Sequence, residues 1–193
     1  MKVVCLYGSP RREGNSSLIS RSILEIAREY GWEVAEFMLH ELEYCGCMAC
    51  NACKGEADGC AIGDGLMPVL SSIYDAQVLV IASPVYFGGL NSRVMAFIER
   101  SGSYFKVDWV ESEDDCRLAP GKKLIFVQTQ SEHESLGKFA FAEHFEMLGF
   151  KEWSFICASE AGNYGSPDGK EELLKQAREA ACKVFDCKGG ERP

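Results

Sequence analysis

Five cysteines, Cys45, Cys47, Cys50, Cys53 and Cys60, fall within sixteen residues, and the last four spell C-x2-C-x2-C-x6-C. Three thiols at successive x2 spacings wrap the backbone around a compact object and turn their sulfurs inward, and a more distant fourth closes the cage, as in bacterial iron-sulfur runs. The pattern favours a 4Fe-4S cluster held by Cys47, Cys50, Cys53 and Cys60. A structural zinc is one rival, although zinc sites usually present two knuckles separated by about a dozen residues or more. A bare thiol loop is another. Cys45 falls outside the run, as a neighbour or as a ligand in another register.

A second group of residues suited to chemistry is Gly8 to Ser17, GSPRREGNSS, lying between an apolar β-branched segment and a helix-like one. A strand entering a polar turn and then a helix leaves unpaired backbone N–H groups aimed at one point, which attracts an anion. Ser9, Ser16, Ser17, Asn15 and a guanidinium from Arg11 or Arg12 add donors, so a phosphate monoester is the natural guest. The plainer alternative is that Asn15 or Ser16 caps the helix and the arginines are solvated. No GxGxxG follows the strand and no GxxxxGK[ST] occurs, so a mononucleotide is favoured over a dinucleotide or a triphosphate. A third stretch, Ser83-Pro84-Val85-Tyr86-Phe87-Gly88-Gly89, offers two flat rings, a rigid proline and permissive glycines, a surface for a planar heterocycle with a polar edge.

These loops need a scaffold that brings them together. Strand-like runs alternate with helix-like ones: Val3–Tyr7, Trp32–Leu39, Gln77–Ser83 ending at Pro84, Lys123–Thr129 and Trp153–Ala158 as strands. Leu18, Ile19, Ile23, Leu24, Ile26 and Ala27 mark the first helix, followed by Leu66–Tyr74, Leu90–Gly102, Ser135–Leu148 and Asp168–Phe185. Residues 40–64 read as a loop insertion broken by Gly46, Gly55, Gly59 and Gly63, and 103–121 as an aromatic-containing acidic connection. The alternation predicts an α/β fold: a flavodoxin-like three-layer sandwich with a five-stranded parallel sheet ordered 2-1-3-4-5. In such sheets ligands bind beyond the carboxyl ends of the strands where the order reverses, between strands one and three. The first and third stretches occupy those two positions.

The 193 residues suit one domain spanning 1–193. A net charge of -9 argues against nucleic-acid partners and against an anionic membrane. The N-terminal apolar run is too short for a signal peptide and no later run approaches the roughly 18 residues of a membrane span, so a cytoplasmic protein is expected. Ten cysteines are then not a disulfide framework, because the cytosol keeps thiols reduced. Cys5 and Cys157 read as small buried apolar residues; Cys116, Cys182 and Cys187 have no ligand spacing, and His40, His133 and His144 receive no role.

GSPRREGNSS resembles the phosphate loop, and SPVYFGG the flavin-ring loop, of the flavodoxin-like NAD(P)H-dependent FMN reductase superfamily, a similarity running from residue 1 to about residue 100. Position by position, the four-cysteine run is similar to that of the iron-sulfur flavoproteins of anaerobic archaea and bacteria. The resemblance implies FMN, with its phosphate at Ser9, Arg11, Asn15, Ser16 and Ser17 and its ring beside Pro84, Val85, Tyr86, Phe87 and Gly88. Gln128-Thr129-Gln130-Ser131 is placed to approach the ring's pyrimidine edge, where the superfamily often has glycines and this chain has none before Gly137. It further implies an oxidoreductase that takes electrons from a ferredoxin-like donor or NAD(P)H and passes them to a small-molecule acceptor, assembled as a homodimer or homotetramer. Two other readings are a cluster-free NAD(P)H-dependent FMN, quinone, azo or nitro reductase, and a non-catalytic electron carrier or redox sensor. Tyr104, Phe105 and Trp109 could cover a neighbour's flavin or pack on their own domain.

Overall fold

The computed structural model describes residues 1–55, 57–107, 115–130, 141–158 and 167–187. The strands are β1 (Lys2–Tyr7), β2 (Glu33–Met38), β3 (Val78–Tyr86), β4 (Gly89–Leu90), β5 (Lys122–Thr129) and β6 (Phe150–Ala158). The helices are α1 (Asn15–Glu29), α2 (Met67–Asp75), α3 (Ser92–Ser101), α4 (Ala142–Met147) and α5 (Pro167–Val184). Five strands pair in parallel in the order β2-β1-β3-β5-β6, and β4 is a two-residue antiparallel addition to β3. The chain therefore has the expected reversal of order between β1 and β3, with one short strand more than the sequence pattern predicts.

Strict alternation along the buried strands builds two cores, because successive side chains leave opposite faces of a sheet. Val78, Val80 and Ala82 of β3 join Val3, Cys5 and Tyr7 of β1 beneath α1 and α5, where Trp32 and Phe185 meet at 5.0 Å. Leu79 and Ile81 join Val4 and Leu6 on the other face, against α2, α3 and α4. Each fully buried Val, Leu, Ile or Phe contributes about 1.5–3 kcal/mol relative to exposure, and the strands that carry the site loops are the best packed.

Three differences from the sequence pattern have physical causes. The third strand does not end at Pro84: β3 runs to Tyr86, with Pro84 opposite Thr129. β1 stops at Tyr7, opposite Ala82, so the last residues of β3 have lost one neighbour, a setting in which proline is tolerated. The final β-strand begins at Phe150 rather than Trp153, through a register shift between Lys122 and Lys123. The described part of the helix before it is Ala142–Met147; residues 131–140, which hold the rest of the expected Ser135–Leu148 helix, lie outside the described residues.

Candidate functional site

Beyond the carboxyl ends of β1 and β3 lies an open crevice of about 300 Å³, lined by Ser9, Arg11, Gly14, Asn15, Ser16, Pro84, Val85, Tyr86, Thr129 and Gln130. The turn after β1 is folded on itself: the Ser9 hydroxyl accepts from the Arg11 N–H at 3.2 Å, and the Ser17 hydroxyl donates to the Arg11 carbonyl at 3.2 Å. Gly14, not Asn15 or Ser16, is the N-cap of α1, and no side chain bonds the cap. No acidic residue lies in the first turn of α1, so its positive end is neutralised by neither a cap nor a carboxylate. Arg12 is taken by an ion pair with Glu41, whereas Arg11 has no carboxylate partner among the described residues. An anion at this point would meet free N–H groups, hydroxyls and the Arg11 cation together.

The opposite wall is a hairpin. Tyr86 pairs with Gly89 across Phe87 and Gly88, which have φ of 52° and 78°. Positive φ at both central residues gives the twist of a tight hairpin but strains a phenylalanine, at a cost of order 1 kcal/mol or more. Of the five residues expected at the ring, Pro84, Val85 and Tyr86 line the crevice; Phe87 and Gly88 form the exposed tip outside it. Thr129 and Gln130 line the third side, while Gln128 is buried behind them with its amide donating to Gln130 at 2.6 Å. Ser131 lies outside the described residues.

Asn91 ties these pieces together and was not suggested by the sequence. Its amide nitrogen donates to the Gly8 carbonyl, and its amide oxygen accepts from the Val94 N–H at 3.0 Å, capping α3. Gly8 is required there, because a Cβ would meet Val94 Cγ2 at 2.4 Å and the Ala82 carbonyl at 2.9 Å. An asparagine just before an apolar-periodic segment is a recognisable N-cap; nothing in the chain order links it to residue 8.

The cysteine loop closes where the Gly65 N–H donates to the Glu43 carbonyl at 2.9 Å, and it runs along α3. The Tyr44 hydroxyl donates to the Arg93 carbonyl at 2.6 Å, and the Cys47 N–H to Glu99 at 3.1 Å. Burial raises the Tyr44 phenol to about 12, so it stays a donor. Ala49 and Asn51, both with positive φ, flank Cys50, and the turn Ala52–Lys54 carries Cys53. Cys47 and Cys50 are exposed, Cys53 and Cys60 half-buried. Cys45 is separately engaged, with its N–H 3.3 Å from Asp64.

Three cations anchor this loop. Lys54 donates to the carbonyls of Gly102 and Phe105 at 2.9 and 3.0 Å, and Arg117 to those of Cys53 and Ala57 at 3.0 and 3.2 Å. Arg100 donates to the Cys60 sulfur at 3.0 Å and forms an ion pair with Asp64 at 2.8 Å. Burial alone would raise the Asp64 carboxyl, but hydrogen bonds from Arg100 and from the Leu66 and Cys45 N–H groups hold it below its ordinary value. Sequence reasoning missed all three, since a basic residue in a polar stretch reads as solvated until the fold buries it. Tyr104 and Phe105 are buried against their own domain, Tyr104 donating to the Leu70 carbonyl at 2.7 Å; Trp109 lies outside the described residues.

The model for NADPH-dependent FMN reductase matches residues 1–135. The chain belongs to this family. The matched part includes β1, the turn after it, the cysteine loop, the β3–β4 hairpin, α3 and β5. Among similar proteins are an iron-sulfur flavoprotein of Methanocaldococcus jannaschii, 38% identical over 52% of this chain and 52% of that one, and one of Methanosarcina thermophila, 33% identical over 52% of each. These matches span about half the length of the relatives concerned. The NAD(P)H:quinone oxidoreductase of Methanothermobacter marburgensis shares the fold, with a TM-score of 0.68, 15% identity and coverage of 100% of this chain and 98% of that one.

For the FMN of this family the crevice fits: it pairs a helix start that no side chain caps and an arginine with no carboxylate partner among the described residues with the apolar wall of Pro84, Val85 and Tyr86. For a cluster, the four thiols are soft ligands on an anchored loop, and two of the sulfurs already accept N–H groups, Cys47 from Ala49 at 3.4 Å and Cys60 from Arg100. Among the described residues no three Cys, His, Asp or Glu side chains converge on a point that could hold a metal ion.

Proposed function

We propose that this chain is an FMN-dependent oxidoreductase of the iron-sulfur flavoprotein type. In this reading the FMN phosphate lies among Ser9, Arg11, Asn15 and Ser16, with Ser17 buried beside them and its hydroxyl turned to the Arg11 carbonyl, the ring lies against Pro84, Val85 and Tyr86, and Cys47, Cys50, Cys53 and Cys60 hold a 4Fe-4S cluster. The observation that carries it is the presence, in one chain, of an anion-ready crevice at the switch point and an anchored loop bearing four cysteines at cluster spacing. Two relatives bearing the iron-sulfur flavoprotein name support the cluster. A bound flavin exchanges one or two electrons and a cluster one at a time, so together they join a one-electron donor to a two-electron acceptor.

The chain's own residues bind and orient. The α1 N-terminus and Arg11 would neutralise phosphate charge and Pro84 and Tyr86 would give the ring a rigid wall, while Arg100, Arg117 and Lys54 hold the cysteine loop to the end of α3 and the turn that follows it. Asn91, the cap of α3, bonds Gly8 at the turn after β1, and the cysteine loop runs along the same helix, from Tyr44 at Arg93 to Cys60 at Arg100. We propose a ferredoxin-like protein or NAD(P)H as donor, a small-molecule acceptor, a cytoplasmic setting and a homodimer or homotetramer. No helix among the described residues is long and apolar enough to cross a membrane.

A second reading, a cluster-free NAD(P)H-dependent reductase of quinones, azo or nitro compounds, draws on the exposure of Cys47 and Cys50. Iron, sulfide and flavin analysis of anaerobically reconstituted protein separates the two. The first reading requires about four irons, about four sulfides and one FMN per chain. Iron-free protein that oxidises NAD(P)H with a quinone at full rate would establish the second.

A further inference from the structure

Arg100 lies in the last turn of α3 and is 1% exposed. A guanidinium has five N–H donors in a fixed fork, and all five are directed here. Two reach the Asp64 carboxylate at 2.8 and 3.2 Å, one the Cys45 carbonyl at 3.2 Å, one the Ile62 carbonyl at 3.1 Å, and Nε–H reaches the Cys60 sulfur at 3.0 Å. The first four would serve any arginine that merely pins a loop. The fifth differs: a neutral thiol is a weak acceptor, whereas a sulfur carrying the charge of a thiolate or of a metal–thiolate bond is a strong one. Because Arg100 sits on a helix whose opposite end is capped by Asn91 and tied to Gly8, the position of that donor is set by the fold rather than by the loop.

Resting on the reading that the four cysteines hold a cluster, we infer that Arg100 is its positioning residue, fixing Cys60 as the fourth ligand and raising the cluster's reduction potential through the N–H···S hydrogen bond. Reduction adds negative charge that the ligand sulfurs share, so a buried cationic donor on one of them favours the reduced form. Asp64 partly neutralises the guanidinium and so moderates the effect.

The test compares Arg100→Lys, Arg100→Gln and Asp64→Asn with the wild type after anaerobic reconstitution, measuring iron and sulfide content and the midpoint potential by electron paramagnetic resonance titration. The potential becomes more negative in Arg100→Lys, still more negative in Arg100→Gln, and more positive in Asp64→Asn, which removes the counter-charge and leaves the guanidinium in place. An unchanged potential in loaded Arg100 variants overturns the inference, because an arginine that only holds the loop changes cluster yield and not potential. Where those two variants take up no iron, Asp64→Asn decides: a positive shift supports the assignment and no shift overturns it. If the wild type itself takes up no iron and sulfide, the cluster reading fails. The hold of Arg100 on Cys60 is then measured on metal-free protein by hydrogen exchange. Arg100→Gln speeds exchange over residues 60–66 by about tenfold or more and leaves 18–28 unchanged; equal protection overturns the hold as well.

Discussion

Gly8 and Asn91 show how much one atom decides at the crevice. A methyl group at residue 8 would overlap Val94 and the Ala82 carbonyl, and overpacking of this kind costs about 1–3 kcal/mol. Gly8→Ala should lower the unfolding free energy measured by urea titration by that amount and weaken FMN binding, measured by flavin fluorescence, by about tenfold for each 1.4 kcal/mol of distortion passed to the turn. The cysteines make a sharper comparison. Serine at Cys47, Cys50, Cys53 or Cys60 should abolish stable iron uptake on reconstitution, whereas Cys45→Ser, at a residue engaged by Asp64, should keep the wild-type iron content. Equal iron loss in Cys45→Ser would show that the ligand register uses Cys45.

At the scale of elements, the helices that hold the site are finished by distant side chains. The buried Lys122 amine, at the start of β5, donates to the Ile73 carbonyl at 3.1 Å, the Tyr74 carbonyl at 2.9 Å and the Ala76 carbonyl, closing the C-terminus of α2 where the helix dipole favours a cation. Lys122→Met keeps the apolar stem and removes the donors, leaving buried carbonyls unpaired, and should destabilise the fold by about 1–3 kcal/mol in chemical denaturation. α3 has the opposite role, with one end capped beside the crevice and the other reaching into the cysteine loop through Arg100.

For the molecule as a whole, the acid response has an identifiable source in His144. Its ring lies edge-on to Phe105 and Phe145, and burial lowers it from the ordinary 6.5 to about 4. The Ser101 hydroxyl gives its one hydrogen to the Ile98 carbonyl, so His144 Nε2–H donates to Ser101 at 2.8 Å, and burial keeps the ring neutral in the native form. Above pH 6.5 the ring is neutral in both folded and unfolded chains and contributes no pH dependence. Between 6.5 and about 4 the unfolded chain takes the proton and the native one does not, so stability falls as pH falls, by up to about 3 kcal/mol in total. Asp64, held below its ordinary value, adds a loss in the same direction at lower pH. His144→Gln retains an amide donor for Ser101 and should remove the slope between pH 6.5 and 4.5 in urea unfolding; an unchanged slope would place the titrating group elsewhere.

The amino-acid sequence by itself determined the strand and helix alternation, the sheet order, the two loops at the switch point and the cysteine spacing, because all of these are encoded in local periodicity, turn chemistry and the distance between residues along the chain. Local rules reached as far as Pro84 and no further: the pairing of Pro84 with Thr129 depends on where the neighbouring strand stops, and the exit of Phe87 from the crevice on the hairpin that joins β3 to β4. Only the tertiary structure decided that Gly14 caps α1, that Arg11 rather than Arg12 faces the crevice, and that Arg100, Arg117 and Lys54 grip the cysteine loop. Partners 36 to 64 residues apart in sequence leave no periodic trace, and a buried cation is distinguished from a solvated one only by what the fold packs around it.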